Sequence, residues 1–337
     1  KSAEVTHGSD IQTEKKQAKV ENQRRYHLRL DRYLDENYLP FLESRNPKTA
    51  NKIYKELKST FTEFMDQEID KITPFQIEKW RNRKAKDGLA SSTINYYLNS
   101  LKGALSRAVD WGVIEKHDLN KVKPVKKDNS VVRYLSTQEE ASLRKALTDR
   151  DQEIKAGRES ANKFRADRGY ELMPSLKAVR FSDHVEAIVL LAMNTGMRRG
   201  EMLSLQWEQV DLINKVVTIT SENSKSKKIR HIPLNGEAFN ALSDWRNQTK
   251  SKKYVFESTP GIPFKDIKKG FLAVLKDADI EGFRFHDLRH HFASKLVMAG
   301  VDLNTVRELL GHSDLKMTLR YAHLAPEHKA QAVNLIG

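Results

Sequence analysis

Residues 119–132 limit most strongly what this chain can fold into. The run Asn120-Lys121-Val122-Lys123-Pro124-Val125-Lys126-Lys127-Asp128-Asn129-Ser130 is rich in charge, short of large apolar residues and interrupted by a proline. Such a run neither spans a core nor continues a helix, so it reads as a linker between two domains. At 337 residues the chain is long enough for a core on each side of it.

Before the linker the apolar residues recur at helical steps. Leu28, Leu30, Tyr33, Leu34, Tyr38, Leu39 and Phe41 form one stripe that ends at Asn46-Pro47, and Ile53, Leu57, Phe61 and Phe64 form a second. Thr73-Pro74-Phe75-Gln76 has the cap, proline and glutamine of a capping box opening a helix that carries Ile77 and Trp80. Ser91-Ser92 opens another, with Ile94, Leu98, Leu101 and Leu105 on one face. Four helices are expected between residues 26 and 116. Residues 1–25 are polar and charged, a linker or a solvated helix.

After the linker the pattern is mixed. Ser136-Thr137-Gln138-Glu139 is a second capping box. Residues 149–180 read as a charged surface insertion, partly helical, and residues 185–193 as a buried helix. Residues 216–220 and 229–234 are two β-forming runs around a polar turn, a hairpin whose turn holds Lys225, Lys227 and Lys228. Residues 254–256 are expected to be buried, residues 264–275 to be helical, and residues 325–337 to form a tail with a short amphipathic helix.

Residues 286–321 concentrate chemistry: His286-Asp287-Leu288-Arg289-His290-His291, then Leu310-Gly311-His312, then Tyr321. His286 and Arg289, three apart on a helix, share a face and could grip one anion. A tyrosine hydroxyl is a poor nucleophile at neutral pH and needs cations, a base and a placed electrophile. This stretch supplies the first two, and a bound phosphate would be the third. The net charge of +14 suits a polyanionic partner such as nucleic acid. With no cysteine, disulfides, thiol catalysis and thiolate metal sites are excluded. His290, His291 and His323 fit no common zinc ligand spacing, so no metal and no cofactor is expected. No apolar run reaches the length of a membrane span and no signal peptide opens the chain, which points to the cytoplasm, and a nucleic-acid partner would place it on the nucleoid.

The His-x-x-Arg-His, Leu-Gly-His and Tyr321 pattern resembles the C-terminal signature of the tyrosine recombinases, the phage-integrase family. Thr195-Gly196-Met197-Arg198-Arg199-Gly200-Glu201 resembles that family's first arginine motif, with Met197 in place of leucine. The resemblance implies a multidomain, mainly α protein: a helical core-binding domain and an α+β catalytic domain with a small antiparallel sheet. Residues 26–118 would be the first, 119–132 the linker and 133–337 the second with its tail. Residues 1–25 would follow an arm-binding domain, since the chain opens at Lys1 and not Met.

The resemblance also implies roles. Arg198, Arg289 and His312 would bind the phosphate, Tyr321 would attack it, His286 would assist as base or by orienting it, and Glu201 would support Arg198. A hairpin lysine would be the general acid; spacing back from Ile232-Pro233-Leu234 best matches Lys225, with Lys227 and Lys228 as rivals. Lys79, Arg81, Arg83, Lys84, Lys102, Lys126, Lys127, Lys227 and Lys228 would face double-stranded DNA. Further partners would be three more copies in a tetramer joined by exchanged tails, and accessory DNA-bending or directionality factors. The alternatives are a type IB topoisomerase, which uses the same chemical parts as a monomer, and a DNA-binding protein with a dead site.

Overall fold

The computed structural model describes residues 2–125, 132–220 and 229–325. The chain divides into two compact units, residues 1–128 and 129–337. Among the described residues the fold is mainly helical with small antiparallel sheets. None of these helices is long and apolar enough to cross a membrane.

The first unit is built from α1 (Ser2–Leu28), α2 (Leu30–Tyr33), α3 (Leu39–Arg45), α4 (Ala50–Thr60), α5 (Pro74–Lys86) and α6 (Ser91–Asp110). A π turn, Leu34–Tyr38, joins α2 to α3. It lies just ahead of Pro40, which has no N–H to continue the regular ladder. The expected capping box opens α5: Thr73 N–H donates to Gln76 Oε1 at 2.8 Å and Gln76 N–H donates to Thr73 Oγ1. The stripes meet in one core, where Phe61 and Trp80 rings lie 4.6 Å apart and the buried Tyr33 hydroxyl donates to the Ala104 carbonyl at 2.8 Å.

Residues 119–125 differ from their expected role as linker. Leu119 and Val122 are fully buried in the first core. Arg81 donates to the Lys123 carbonyl at 2.7 Å, Lys102 to the Val122 carbonyl at 2.5 Å, and Asn95 makes two bonds to the backbone of Val125. Two apolar residues in a charged run were enough to strap it to α5 and α6.

The second unit begins with α7 (Thr137–Ala166), capped by the Ser136–Glu139 box, with Ser136 N–H donating to Glu139 at 2.8 Å. The helix runs on through the expected insertion. Its outer end is tied to the returning segment by Arg158 on the Pro174 carbonyl and Asn162 on the backbone of Met173. At the centre lies α8 (His184–Thr195), almost wholly buried. Then come α9 (Arg199–Leu203), β1 (Val210–Asp211), β2 (Val216–Ile219), β3 (Arg230–Pro233) and α10 (Gly236–Gln248). The strands form an antiparallel sheet in the order β1-β2-β3, with Val217 opposite Ile232 and Thr218 opposite His231. Alternation buries Val217 and Ile219 on β2 and Arg230 and Ile232 on β3. The unit is completed by the hairpin β4 (Glu257–Thr259) and β5 (Ile262–Pro263), which sequence reasoning missed, and by α11 (Lys268–Asp277), α12 (Asp287–Met298) and α13 (Leu303–Leu310). The expected helix over 264–275 thus starts at Lys268, after β5 and a short turn.

Candidate active site

Four local structures bring the chemical residues together. The first is the end of α8. Gly196 has φ 59°, and a Cβ there would lie 2.4 Å from the Phe292 ring, so only glycine fits where helix α8 meets α12. The turn it makes puts Arg198 at the threshold of α9. The second is the start of α12, which carries His286, Arg289 and His290 over little more than a turn. The third is Gly311, the left-handed cap of α13 at φ 64°, which presents His312. The fourth is a 3₁₀ turn, Leu319–Leu324, carrying Tyr321. Arg198, His286, Arg289, His290, His312, Arg320 and Tyr321, with Gly311, Ser313 and Met317, line one cleft of about 490 Å³.

The arginines are held by fixed acceptors. Arg289 is buried, with its guanidinium on the carbonyls of Gly196 at 2.8 Å and Leu310 at 2.6 Å. Burial, with Arg198 and Arg230 nearby, pulls it down to about 9, still charged at neutral pH. Arg198 donates to Glu201 at 2.8 Å and to the Gly311 carbonyl at 3.1 Å. Glu201 is buried and also receives both terminal nitrogens of Arg230, at 3.1 and 2.6 Å. Burial would raise the Glu201 carboxyl, but Arg230 and Arg198 hold it below the usual range. Each guanidinium has five donors, so these bonds orient both arginines and leave donors for an anion in the cleft.

The histidines are neutral at neutral pH. Burial, then Arg289, lowers His286; burial with Arg289, Arg198 and Arg320 takes His312 to about 3. His312 Nδ1 pairs with the Thr318 hydroxyl at 2.9 Å, which fixes the ring. Tyr321 is fully buried among Ala293, Val297, Val306 and Leu310, and burial raises its hydroxyl above the ordinary tyrosine value. That hydroxyl meets His290 Nδ1 at 2.6 Å.

The structure therefore brings Arg198, His286, Arg289, His312 and Tyr321 to one cleft, with Glu201 behind Arg198. Lys225, Lys227, Lys228, Lys126 and Lys127 lie outside the described residues. In the first unit, Lys79 and Arg83 sit on an exposed face of α5 with Phe75, Asn82 and Lys86. Arg83 is paired with Glu63 at 2.5 Å. Lys84 is half-buried, while Arg81 and Lys102 are turned onto the carbonyls named above. Sequence reasoning missed Arg230, Thr318 and Arg320, and gave His290 no part except as a rejected metal ligand. Among the described residues no three histidine or carboxylate side chains converge as metal ligands.

Comparison with known proteins places the fold. The chain superposes on the Tn1549 transposon integrase in complex with a circular intermediate DNA with a TM-score of 0.67, at 19% identity, over 92% of this chain and 100% of that one. A lambda integrase dimer bound to a core site gives 0.62 at 20% identity, over 86% and 97%. In sequence it is 28% identical over 334 residues to a tyrosine recombinase XerC-like protein of Caldanaerobacter subterraneus, covering 87% of this chain and 78% of that protein. It is 36% identical over 155 residues to the integrase of Salmonella phage P22, covering 43% of this chain and 40% of the phage protein. The class is that of the tyrosine recombinases, DNA strand-exchanging enzymes. Residues 164–328 match the model of the phage integrase family. Over those residues the chain carries the domain that defines that family.

Proposed function

We propose that this chain is a site-specific recombinase that integrates or excises a phage or other mobile element. The reading is supported above all by one juxtaposition: the Tyr321 hydroxyl shares a cleft with two oriented arginines and three neutral histidines. Arg198 and Arg289 bind the non-bridging oxygens of a DNA phosphate and stabilise the charge of the pentavalent transition state, with His312 as a third donor. Tyr321 attacks and forms a 3′-phosphotyrosine, which keeps the bond energy for religation. A hairpin lysine, Lys225 or its rivals Lys227 and Lys228, protonates the departing 5′ oxygen. His286 assists as a base or by orienting the phosphate. Four copies, joined by exchanged C-terminal tails, pass through a Holliday junction, and accessory factors set the direction.

The test is covalent capture on nicked duplexes drawn from the DNA flanking the gene, with Holliday intermediates resolved on gels. Capture by the wild type and none by Tyr321→Phe is expected. Relaxation of supercoils without any strand exchange would replace this reading with a topoisomerase.

A further inference from the structure

We propose that His290 is the proton acceptor for Tyr321: its Nδ1 takes the hydroxyl proton as the tyrosine oxygen attacks the DNA phosphate. The proposal rests on the reading of Tyr321 as the nucleophile, and it settles which histidine does the work that reading leaves open.

The geometry carries it. Tyr321 Oη and His290 Nδ1 are 2.6 Å apart, within the range a general base needs. The two rings are 5.9 Å apart and tilted by 49°. His286 instead packs its ring edge-to-face against His290, at 5.1 Å, as a wall behind the base. His290 lies in the first turn of α12, whose entry is fixed by Arg284 N–H and its guanidinium donating to the buried Asp287.

The charge state is the one a base requires. Burial lowers His290 to about 4 and raises Tyr321, so at neutral pH the ring is neutral and the hydroxyl protonated. A neutral ring whose Nδ1 lies against a hydroxyl can accept its proton, provided the ring proton is on Nε2. The groups facing His290 are His286, Asp287 and Arg289 on α12, Arg320 and Tyr321 on the 3₁₀ turn, and His312. They are mostly cationic or neutral, which suppresses protonation of its ring. A phosphodiester entering the cleft opposes those cations and strengthens the base when the substrate is in place.

The step balances without a co-reactant. The Tyr321 O–H bond breaks and its proton goes to Nδ1; the tyrosine oxygen bonds to phosphorus; the bond from phosphorus to the 5′ oxygen breaks, and that oxygen leaves with the electron pair and is protonated by the general acid. On religation the 5′ hydroxyl returns its proton to the general acid and attacks phosphorus, the bond from phosphorus to the tyrosine oxygen breaks, and the imidazolium gives its proton back to Tyr321.

The experiment measures the rate of covalent capture against pH for wild type, His290→Ala and His290→Gln, on nicked duplexes from the flanking DNA, with DNA binding followed in parallel. Both variants should bind DNA and lose about 10²-fold in capture at neutral pH. The decisive readout is the profile. With the base present the rate should change little over neutral and mildly alkaline pH; without it the tyrosinate fraction limits, and the rate should climb about tenfold per pH unit. A duplex with a 5′-bridging sulfur, which needs no acid, should rescue a general-acid variant but not the His290 variants. A uniform fall with an unchanged profile, an unchanged rate, or a faster one that marks the bond as a latch would each overturn the proposal while Tyr321 stands as nucleophile. If the wild type captures no DNA, or Tyr321→Phe captures as much, the underlying reading fails instead.

Discussion

The cleft of the second unit and the exposed face of α5 in the first are both cationic, and they hold their charge in opposite ways. Arg289 and Arg198 are anchored on three backbone carbonyls and a buried carboxylate. Lys79 and Lys86 stand on an open helix face beside Phe75, which is 76% exposed. An anchored guanidinium is in place before its anion arrives, so it costs no reorganisation in the transition state. A solvated lysine must be ordered and desolvated on contact, which suits a graded, salt-sensitive grip on a DNA backbone. Under the proposed function, the contrast separates residues expected to set rate from residues expected to set affinity.

The strongest way to break that distinction is Arg289→Ala. Capture should fall by about 10²–10³ while DNA affinity changes little, because one preorganised donor is lost from a large contact surface. Rates come from the nicked-duplex assay and affinity from titration; a variant that loses binding and not rate would erase the contrast. Next is Arg230→Leu, which leaves the buried Glu201 without its two-nitrogen partner and should cost about 3 kcal/mol of folding stability by denaturant titration. Glu201 is held low in the folded protein, so its contribution is present above the ordinary carboxylate value of 4.5 and is lost as pH falls through the folded value. Glu201→Gln should therefore flatten the acid limb of the stability profile.

The parts of the site that are local in sequence were legible. His286, Arg289, His312 and Tyr321 all fall within one 36-residue stretch, and Arg198 follows a Gly196 whose left-handed turn the sequence pattern signals. Arg230 was not, because its meaning depends on facing Glu201 from a different element. Its strand reads as a cluster of β-formers, and only the alternation that buries Ile232 puts Arg230 on the same inner face. The role of His290 was hidden likewise, since its partner is Tyr321 on another element. In the fold, the helical stripes and both capping boxes were readable from periodicity. The length of α7 was obscured by its charge, although helix formers and pairs such as Lys155 with Asp151 sustain it.

Gly311→Ala probes the same anchoring from the backbone. The residue has φ 64°, and a Cβ would lie 2.9 Å from Arg230 Cδ. Arg230 cannot swing aside, because its guanidinium is tied to Glu201 and to the Leu309 carbonyl. The strain should cost about 2 kcal/mol in stability and slow capture through Arg198, which donates to the Gly311 carbonyl. On the α5 side, Lys79→Ala and Lys86→Ala should each lower the slope of log affinity against log salt by about one and leave the rate at saturating DNA unchanged.

The smallest expected effect sharpens the comparison most, because it sets two lysines of the same unit against each other. Lys102 was grouped with Lys79 as a DNA-facing cation, yet its ammonium donates to the Val122 carbonyl at 2.5 Å. Burial, with Lys123 and Arg81 nearby, lowers it below the ordinary lysine value. Its task is to strap residues 119–125 over the first core, where Leu119 and Val122 are buried. Lys102→Ala should thus leave the salt slope of DNA binding unchanged and lower stability by about 1.5 kcal/mol, the low end for one hydrogen bond with a charged donor. Lys102→Met, which keeps the packing of the stem and removes only the donor, should show the same pattern. A fall in the salt slope equal to that of Lys79→Ala would mean that a lysine bonded to a carbonyl still meets the phosphate backbone, and burial would then no longer distinguish binding cations from structural ones.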